Sequence, residues 1–419
     1  MKRYIRHIIY ILVPVTLLLL SVSCAREEDD FLVPEPVVSG AQGQTLDFTL
    51  IIYMAAENSL YGMVQGDLSE IMQGMDLLPE GTRIVAYVDD TRSSRLYAGC
   101  AKQEFQNVKS YDENICSTSE EGMSRVLTDI MQDYPARHYA LVLWSHGSGW
   151  VIRNTTAATA KATGPLRSIG IDNGQRGTHN EGEVMDIPVL ARVLSNFPHM
   201  SYILFDACFM QCIEVAYELR HLTDYVIGSP AEIPDPGAPY HRLLPMLCRV
   251  PVNVSDIVNT YVDYYENLEA GFPYVGVELS AIRTDALESL AAATAPFLKS
   301  LLDSQAEYDA SAVQRYYYGF TFTKYTEFFD FKNWFYQALS ADDYAAWCQA
   351  YDAAVPVVRL TPQWFSGIPS RQTRSVSDID HSGGVSVFVP SGKYEQNGWM
   401  NNYHSLQWYE DTNLQETGW

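Results

Sequence analysis

Apolar runs alternating with amphipathic helical patterns mark this chain as an α/β protein. It is expected to be built on a mostly parallel sheet flanked by helices on both faces, continued by a helical-plus-strand C-terminal extension. Three observations carry that expectation. Strand-like runs rich in branched and aromatic residues recur between Leu46 and Gly228. Helical patterns separate them, as crossovers between parallel strands require. The 419 residues, 47% hydrophobic and 19% charged, are enough to bury a large core.

The elements follow in chain order. Residues 47–54 read as the first strand, 61–75 as a helix and 82–88 as a strand, followed by a hairpin-like polar region to Cys116. Helix 119–134, strand 138–144, helix 187–195, strand 201–205, helix 213–222 and strand 225–228 complete the series. Beyond about residue 250 the pattern changes to long helical stretches, 254–269 and 286–310, with strand candidates at 274–282 and 384–389. Residues 46–250 are therefore expected to form the main domain, with 251–419 packing on its sheet or extending it.

The first 45 residues stand apart. Lys2, Arg3 and Arg6 precede an apolar run over 8–20, the order of a secretory signal. The run ends in Ser21-Val22-Ser23-Cys24, which resembles a bacterial lipoprotein processing site with Cys24 as the lipidated N-terminus. An ordinary signal peptide cut near Ser23 is the competing reading. Arg26-Glu27-Glu28-Asp29-Asp30 looks like the export tag of some surface lipoproteins, or simply a solvated acidic linker, and Pro34, Pro36, Gly40 and Gly43 suit a spacer over 24–45. The expected location is the bacterial cell envelope, anchored by lipid to the outer membrane. A lipid anchor is the only membrane contact expected.

Charge narrows the partners. Fifty-one acidic against 28 basic residues leave a net of −23, and losing residues 1–23 takes it to −26. Such a chain repels nucleic-acid phosphates, so a nucleic-acid partner is excluded, while neutral or cationic partners are favoured.

Two strands end in chemically loaded loops. One runs through Trp144 into Ser145-His146-Gly147-Ser148-Gly149-Trp150, the other through Phe205 into Asp206-Ala207-Cys208-Phe209. Open α/β sheets collect reactive groups just past such carboxyl ends. A histidine there and a cysteine on the next strand end suit a thiol nucleophile: imidazole takes the thiol proton or lowers its pKa, and a helix beginning near Gln211 would favour the anion at Cys208. Gly147 opens its N–H to approach, and with the Cys208 N–H would form an oxyanion hole. Cys212 is taken as core. Cys100 and Cys116 bracket the hairpin region, as a disulfide or as free thiols. No Gly-x-Ser-x-Gly, His-Glu-x-x-His, phosphate loop or Asp-x-Asp-x-Asp-Gly pattern is present, so no metal or cofactor is expected.

These residues resemble the clostripain family of cysteine peptidases, which share the caspase-like fold with caspases, gingipains, legumain and separase. Supporting stretches are 51–60, 143–150, 205–219 and the pocket-like loop 227–240; the likeness is good over 46–246 and loose beyond. The resemblance implies His146 as general base and acid and Cys208 as nucleophile, with no obligatory third member. It implies Asp206 at the base of a pocket selecting Arg or Lys, with Glu232 or Asp235 as a second carboxylate. The competing role for Asp206 is capping the following helix. Pro234-Asp235-Pro236-Gly237-Ala238 departs from the usual pocket loop, which leaves basic specificity less secure than the dyad. The resemblance also implies self-processing between 151 and 168, at Arg153, Lys161 or Arg167. The resulting expectation is a monomeric, lipid-anchored endopeptidase acting on peptides with a basic residue before the cleaved bond. The rival is a non-catalytic surface lipoprotein, a degenerate peptidase, that binds glycan or protein through its 28 Tyr and 8 Trp. The tryptophans show no repeat, so most are expected in the core or at its rim.

Overall fold

β1 (Leu46–Ala55) shows how the chain builds its centre: Ile51, Tyr53 and Ala55 point into one core, Leu50, Ile52 and Met54 into another on the opposite face. A strand buried on both faces belongs inside a sheet covered on both sides. The computed structural model describes residues 42–112, 114–151, 169–174, 182–268, 276–303, 312–316, 328–366, 372–376, 378–389 and 399–417. Cys24 with the tether up to residue 41, and the three candidate processing residues Arg153, Lys161 and Arg167, lie outside the described residues.

After β1 come α1 (Val64–Gly74), β2 (Thr82–Asp89), β3 (Ser94–Cys100), β4 (Gln106–Ser110), α2 (Glu120–Asp133), β5 (Ala136–Trp144), β6 (Ile169–Asp172), β7 (Glu183–Met185), α3 (Ile187–Leu194), β8 (Met200–Asp206), α4 (Ile213–Glu218), β9 (Tyr225–Gly228), α5 (Tyr240–Leu247) and α6 (Val254–Glu266). Then follow β10 (Glu278–Arg283), α7 (Leu287–Asp303), β11 (Arg315–Tyr316), β12 (Phe328–Asp330), α8 (Phe331–Ala338), α9 (Ala341–Ala354), β13 (Val357–Leu360), β14 (Gln363–Ser366), β15 (Gln372–Ser375), β16 (Ser386–Val387), α10 (Trp399–Tyr403) and α11 (Gln407–Asp411).

A nine-stranded sheet in the order β13-β10-β9-β8-β5-β1-β2-β3-β4 organises the molecule. Its five central strands, β9 to β2, pair in parallel, and antiparallel strands close both sides. The residues of α1, α5 and α6 fill one core, and those of α2, α3, α4 and α7 fill the other. Local signals set the helix starts: the Ser119 side chain accepts from the Gly122 amide at the head of α2, with Glu120 and Glu121 in the favourable first turn. Among the described residues no helix is long and apolar enough to cross a membrane.

Two expectations need correction. The helix expected over 213–222 ends at Glu218, because the chain tightens into a turn in which the Leu222 amide bonds back to Leu219. The strand candidate 384–389 shrinks to β16, which pairs with β12 in a separate three-stranded sheet, its Ser386 amide donating to Gln211. Of the two states left open for Cys100 and Cys116, the structure has separate free thiols. Trp144, Trp150, Trp334, Trp347, Trp364 and Trp408 are all at most 5% exposed, which leaves those six no face on which a sugar could stack.

Candidate active site

β5 and β8 lie side by side in parallel, with Trp144 in register with Asp206. Two residues past each register partner stand His146 and Cys208, both half-buried. The sheet therefore brings the imidazole loop and the thiol loop to one edge. Glycine allows the final approach: a Cβ on Gly147 would lie 2.6 Å from the Cys208 carbonyl oxygen and 2.8 Å from Met210 Sδ. Only a residue without a side chain lets the His146 turn rest on the Cys208 backbone.

A third strand end, which the sequence did not single out for chemistry, completes the site. Ser59, just past β1, places its Oγ 2.8 Å from His146 Nε2. Asn58 holds that turn, donating to the Ala55 and Ile171 carbonyls at 2.8 and 2.9 Å and accepting from the Leu60 amide at 2.9 Å. On the other side the Gly170 amide of β6 donates to the His146 carbonyl at 2.9 Å. The stretch 51–60 was visible as a motif, but nothing in it said that its serine would meet a histidine 87 residues away.

Cys208 sits at a sharp turn. Phe209 adopts φ +60°, a left-handed conformation that is strained for an aromatic residue. It is held there by its amide bond to the Ala231 carbonyl at 2.9 Å and by stacking on Phe328 at 5.1 Å. The Ile233 amide donates to Cys208 Sγ at 3.4 Å. Burial pushes the thiol up to about 12, with the Glu232 carboxylate adding most after it and Asp206 and Asp235 contributing too; the Ile233 hydrogen bond opposes them. The expectation of a thiol lowered toward neutrality is thus corrected. α4 begins only at Ile213 and spans six residues, too far along to offset burial and three carboxylates. For the same reason Cys212 does not share a helix face with Cys208; it is the fully buried N-cap of α4.

Asp206 is buried under the 234–240 loop. Its Oδ2 accepts from the Ala238 amide at 3.1 Å and the Tyr240 hydroxyl at 3.0 Å, its Oδ1 from the Tyr261 hydroxyl at 3.3 Å. Gly237, at φ +61°, passes so close that a Cβ would lie 3.1 Å from Oδ2. The carboxylate thus moors the loop and does not cap α4, whose N-cap makes no side-chain bond. Burial raises Asp206 to about 6 despite these donors. Glu232 is buried and Asp235 exposed on the same loop. Behind it Asp67 of α1 is driven to about 8, by burial first and then by the Asp206 and Glu70 charges. Tyr240, Tyr261 and Asp67 escaped the sequence because they come from helices whose packing partners are distant in the chain.

A thiol and an imidazole at adjacent carboxyl ends of a caspase-like sheet define a class, the cysteine peptidases of that fold. Within the class the chain belongs to the clostripain family (Peptidase_C11), whose profile matches residues 52–419. It is 24% identical over 226 residues to clostripain of Hathewaya histolytica, an alignment covering 46% of this chain and 41% of that protein's length. Its fold is similar to that of a secreted C11 cysteine protease from Bacteroides thetaiotaomicron in complex with an irreversible peptide inhibitor. That similarity has a TM-score of 0.74 and 27% identity, covering 88% of this chain and 99% of the other. An inactive zymogen C11 protease from Parabacteroides distasonis is similar at a TM-score of 0.71 and 27% identity, with the same coverage.

Proposed function

We propose that this chain is a cysteine endopeptidase of the bacterial cell envelope that cleaves peptide bonds after Arg or Lys. The observation that carries the proposal is the placement of His146 and Cys208 two residues past register partners on neighbouring parallel strands. In this reading Ser59 engages Nε2, which leaves Nδ1 to serve the thiol. His146 removes the Cys208 proton as Sγ attacks the peptide carbonyl, the Gly147 and Cys208 amides receive the oxyanion, and the imidazolium returns its proton to the leaving amine. Water, deprotonated by the same histidine, then hydrolyses the thioester. A thiol raised by burial favours this concerted route over a standing thiolate.

Preference for a basic residue is supported by the three carboxylates whose charges reach Cys208. A cation entering beside them relieves their repulsion and pairs with the least engaged of them. Self-processing at Arg153, Lys161 or Arg167 is supported by the similar structure of an inactive zymogen and by the basic residues between β5 and β6. The envelope location rests on the N-terminal pattern ending at Cys24. Fatty-acid labelling of the chain should be lost in Cys24→Ala; labelling that persists refutes the anchor.

The decisive experiment compares the parent with Cys208→Ala on fluorogenic peptides ending in Arg, Lys, Leu or Asp. The parent should cleave the first two and the variant none. Cleavage by the variant overturns the nucleophile, and equal cleavage of all four peptides overturns the specificity.

A further inference from the structure

We propose that Phe328 is a positioning residue for the reaction: its ring is wedged between the His146 loop and the Cys208 turn and fixes how the two meet. The inference rests on the reading of His146 and Cys208 as the dyad, and adds the side chain that keeps their loops together. Phe328 belongs to β12, in the separate three-stranded sheet. Its side chain is nevertheless buried, at 3% exposure, against the catalytic edge of the main sheet.

Two contacts define the wedge. On the cysteine side the ring stacks on Phe209, with centroids 5.1 Å apart and planes inclined by 18°, the offset arrangement that aromatic pairs favour. On the histidine side, a Cβ on Gly149 would lie 2.7 Å from Phe328 Cε1 and 3.0 Å from the Phe209 carbonyl oxygen. Gly149 also holds φ +67°, so the approach uses both its missing side chain and its left-handed backbone. Ring, glycine and carbonyl therefore meet a few residues past His146 and directly past Cys208.

The wedge acts on the dyad through one torsion. Phe209 is strained at φ +60°, with its own amide fixed on the Ala231 carbonyl and the Gln211 amide fixed on the Ser229 carbonyl at 3.0 Å. Between those fixed points, relaxation of φ tilts the peptide plane that carries the Cys208 carbonyl, the group on which Gly147 rests. Stacking opposes this, because a changed φ swings the Phe209 ring off its partner. β12 is itself held firmly. The buried Asp330 carboxylate accepts from the Asn333 and Gly383 amides at 2.9 Å and from the Gly384 amide and Tyr316 hydroxyl at 3.0 Å. Neighbouring β16 donates its Ser386 amide to the Gln211 carbonyl at 2.9 Å. The second sheet thus grips the Cys208 turn twice, by backbone at Gln211 and by ring at Phe209.

The test uses the full chain and the fluorogenic peptide that the parent cleaves fastest. Active sites are counted with an irreversible peptidyl ketone of the same sequence, so misfolded protein does not enter kcat. Phe328→Leu keeps an apolar side chain and removes the stack; Phe328→Met, which fills space flexibly, is the second variant should the first not fold. In either, kcat per titrated site should fall about 10–100-fold with KM within about twofold of the parent's, the cost of a small misplacement of intact groups. Phe329→Leu is the control, since successive side chains on a strand face opposite ways, and should lose less than about threefold. A loss carried by KM, a kcat within about threefold of the parent's, or an equal loss in Phe329→Leu overturns the proposal. Glycine takes φ +60° without strain, so in a Phe209→Gly background Phe328→Leu should cost less than about threefold. An undiminished loss there also overturns it. Cleavage that survives Cys208→Ala overturns the dyad and this inference with it, whereas cleavage silenced by Cys208→Ala but not by Phe328→Leu overturns the wedge alone.

Discussion

Replacing Glu232 by Gln should make Cys208 more reactive while damaging the enzyme. The free thiol stands near 12, and Glu232 is the largest influence on it after burial. A neighbouring carboxylate charge, screened at a half-buried site, is worth on the order of 1–1.5 kcal/mol to the thiolate, or about one pKa unit. Removing the negative charge favours the thiolate, so the pKa falls and the thiolate fraction at pH 7.5 rises about tenfold. A less basic thiolate is a weaker nucleophile, which takes back about half of that gain on a logarithmic scale. The net expectation is alkylation by iodoacetamide about three times faster at Cys208, read by peptide mapping, with Cys348 as an internal reference. From pH 6 to 10 the parent rate should climb without a plateau, and the variant should follow the same line displaced upward. Turnover of Arg- and Lys-ending peptides should fall, since the carboxylate that opposes the thiolate is one that attracts the cationic side chain. A parent inflection below pH 8, or a Glu232→Gln line superimposed on the parent's, would refute the electrostatic account of the site.

Ser59→Ala removes the hydroxyl 2.8 Å from His146 Nε2; kcat should fall about tenfold with KM unchanged, the worth of one positioning hydrogen bond. Ser59→Thr should restore most of it, and a loss carried by KM would speak against positioning. Asp67 is held near 8 in the folded chain, well above its ordinary value, so the folded state binds the extra proton. Its stabilising contribution is complete below about pH 4 and drains away as pH rises toward 8. Asp67→Asn should flatten that decline in thermal midpoint and gain about 2 kcal/mol at pH 8; a slope identical to the parent's would refute it.

The strands were legible because a buried parallel strand writes its burial into consecutive residues, and the loaded loops because His146 and Cys208 each follow such a run. α2 was legible down to its Ser119 cap. The end of β16 was not, because backbone partners distant in sequence, Gln211 and Asp330, meet Ser386 there, and α4 stops at a local turn that the apolar spacing does not mark.

From the sequence alone came the alternation of strands and helices, the two reactive residue types and their position at strand ends, all properties carried by neighbours along the chain. Only the tertiary structure decided what those residues experience. Glu232 lies 24 positions after Cys208 and Ser59 lies 87 before His146. The tyrosines that moor Asp206 come from α5 and α6. The carboxylates of Glu57, Asp89 and Asp172 meet only because β1, β2 and β6 end together. Desolvation and Coulomb fields sum over everything near in space, and the nearest groups in space here belong to strands and helices that the chain visits far apart.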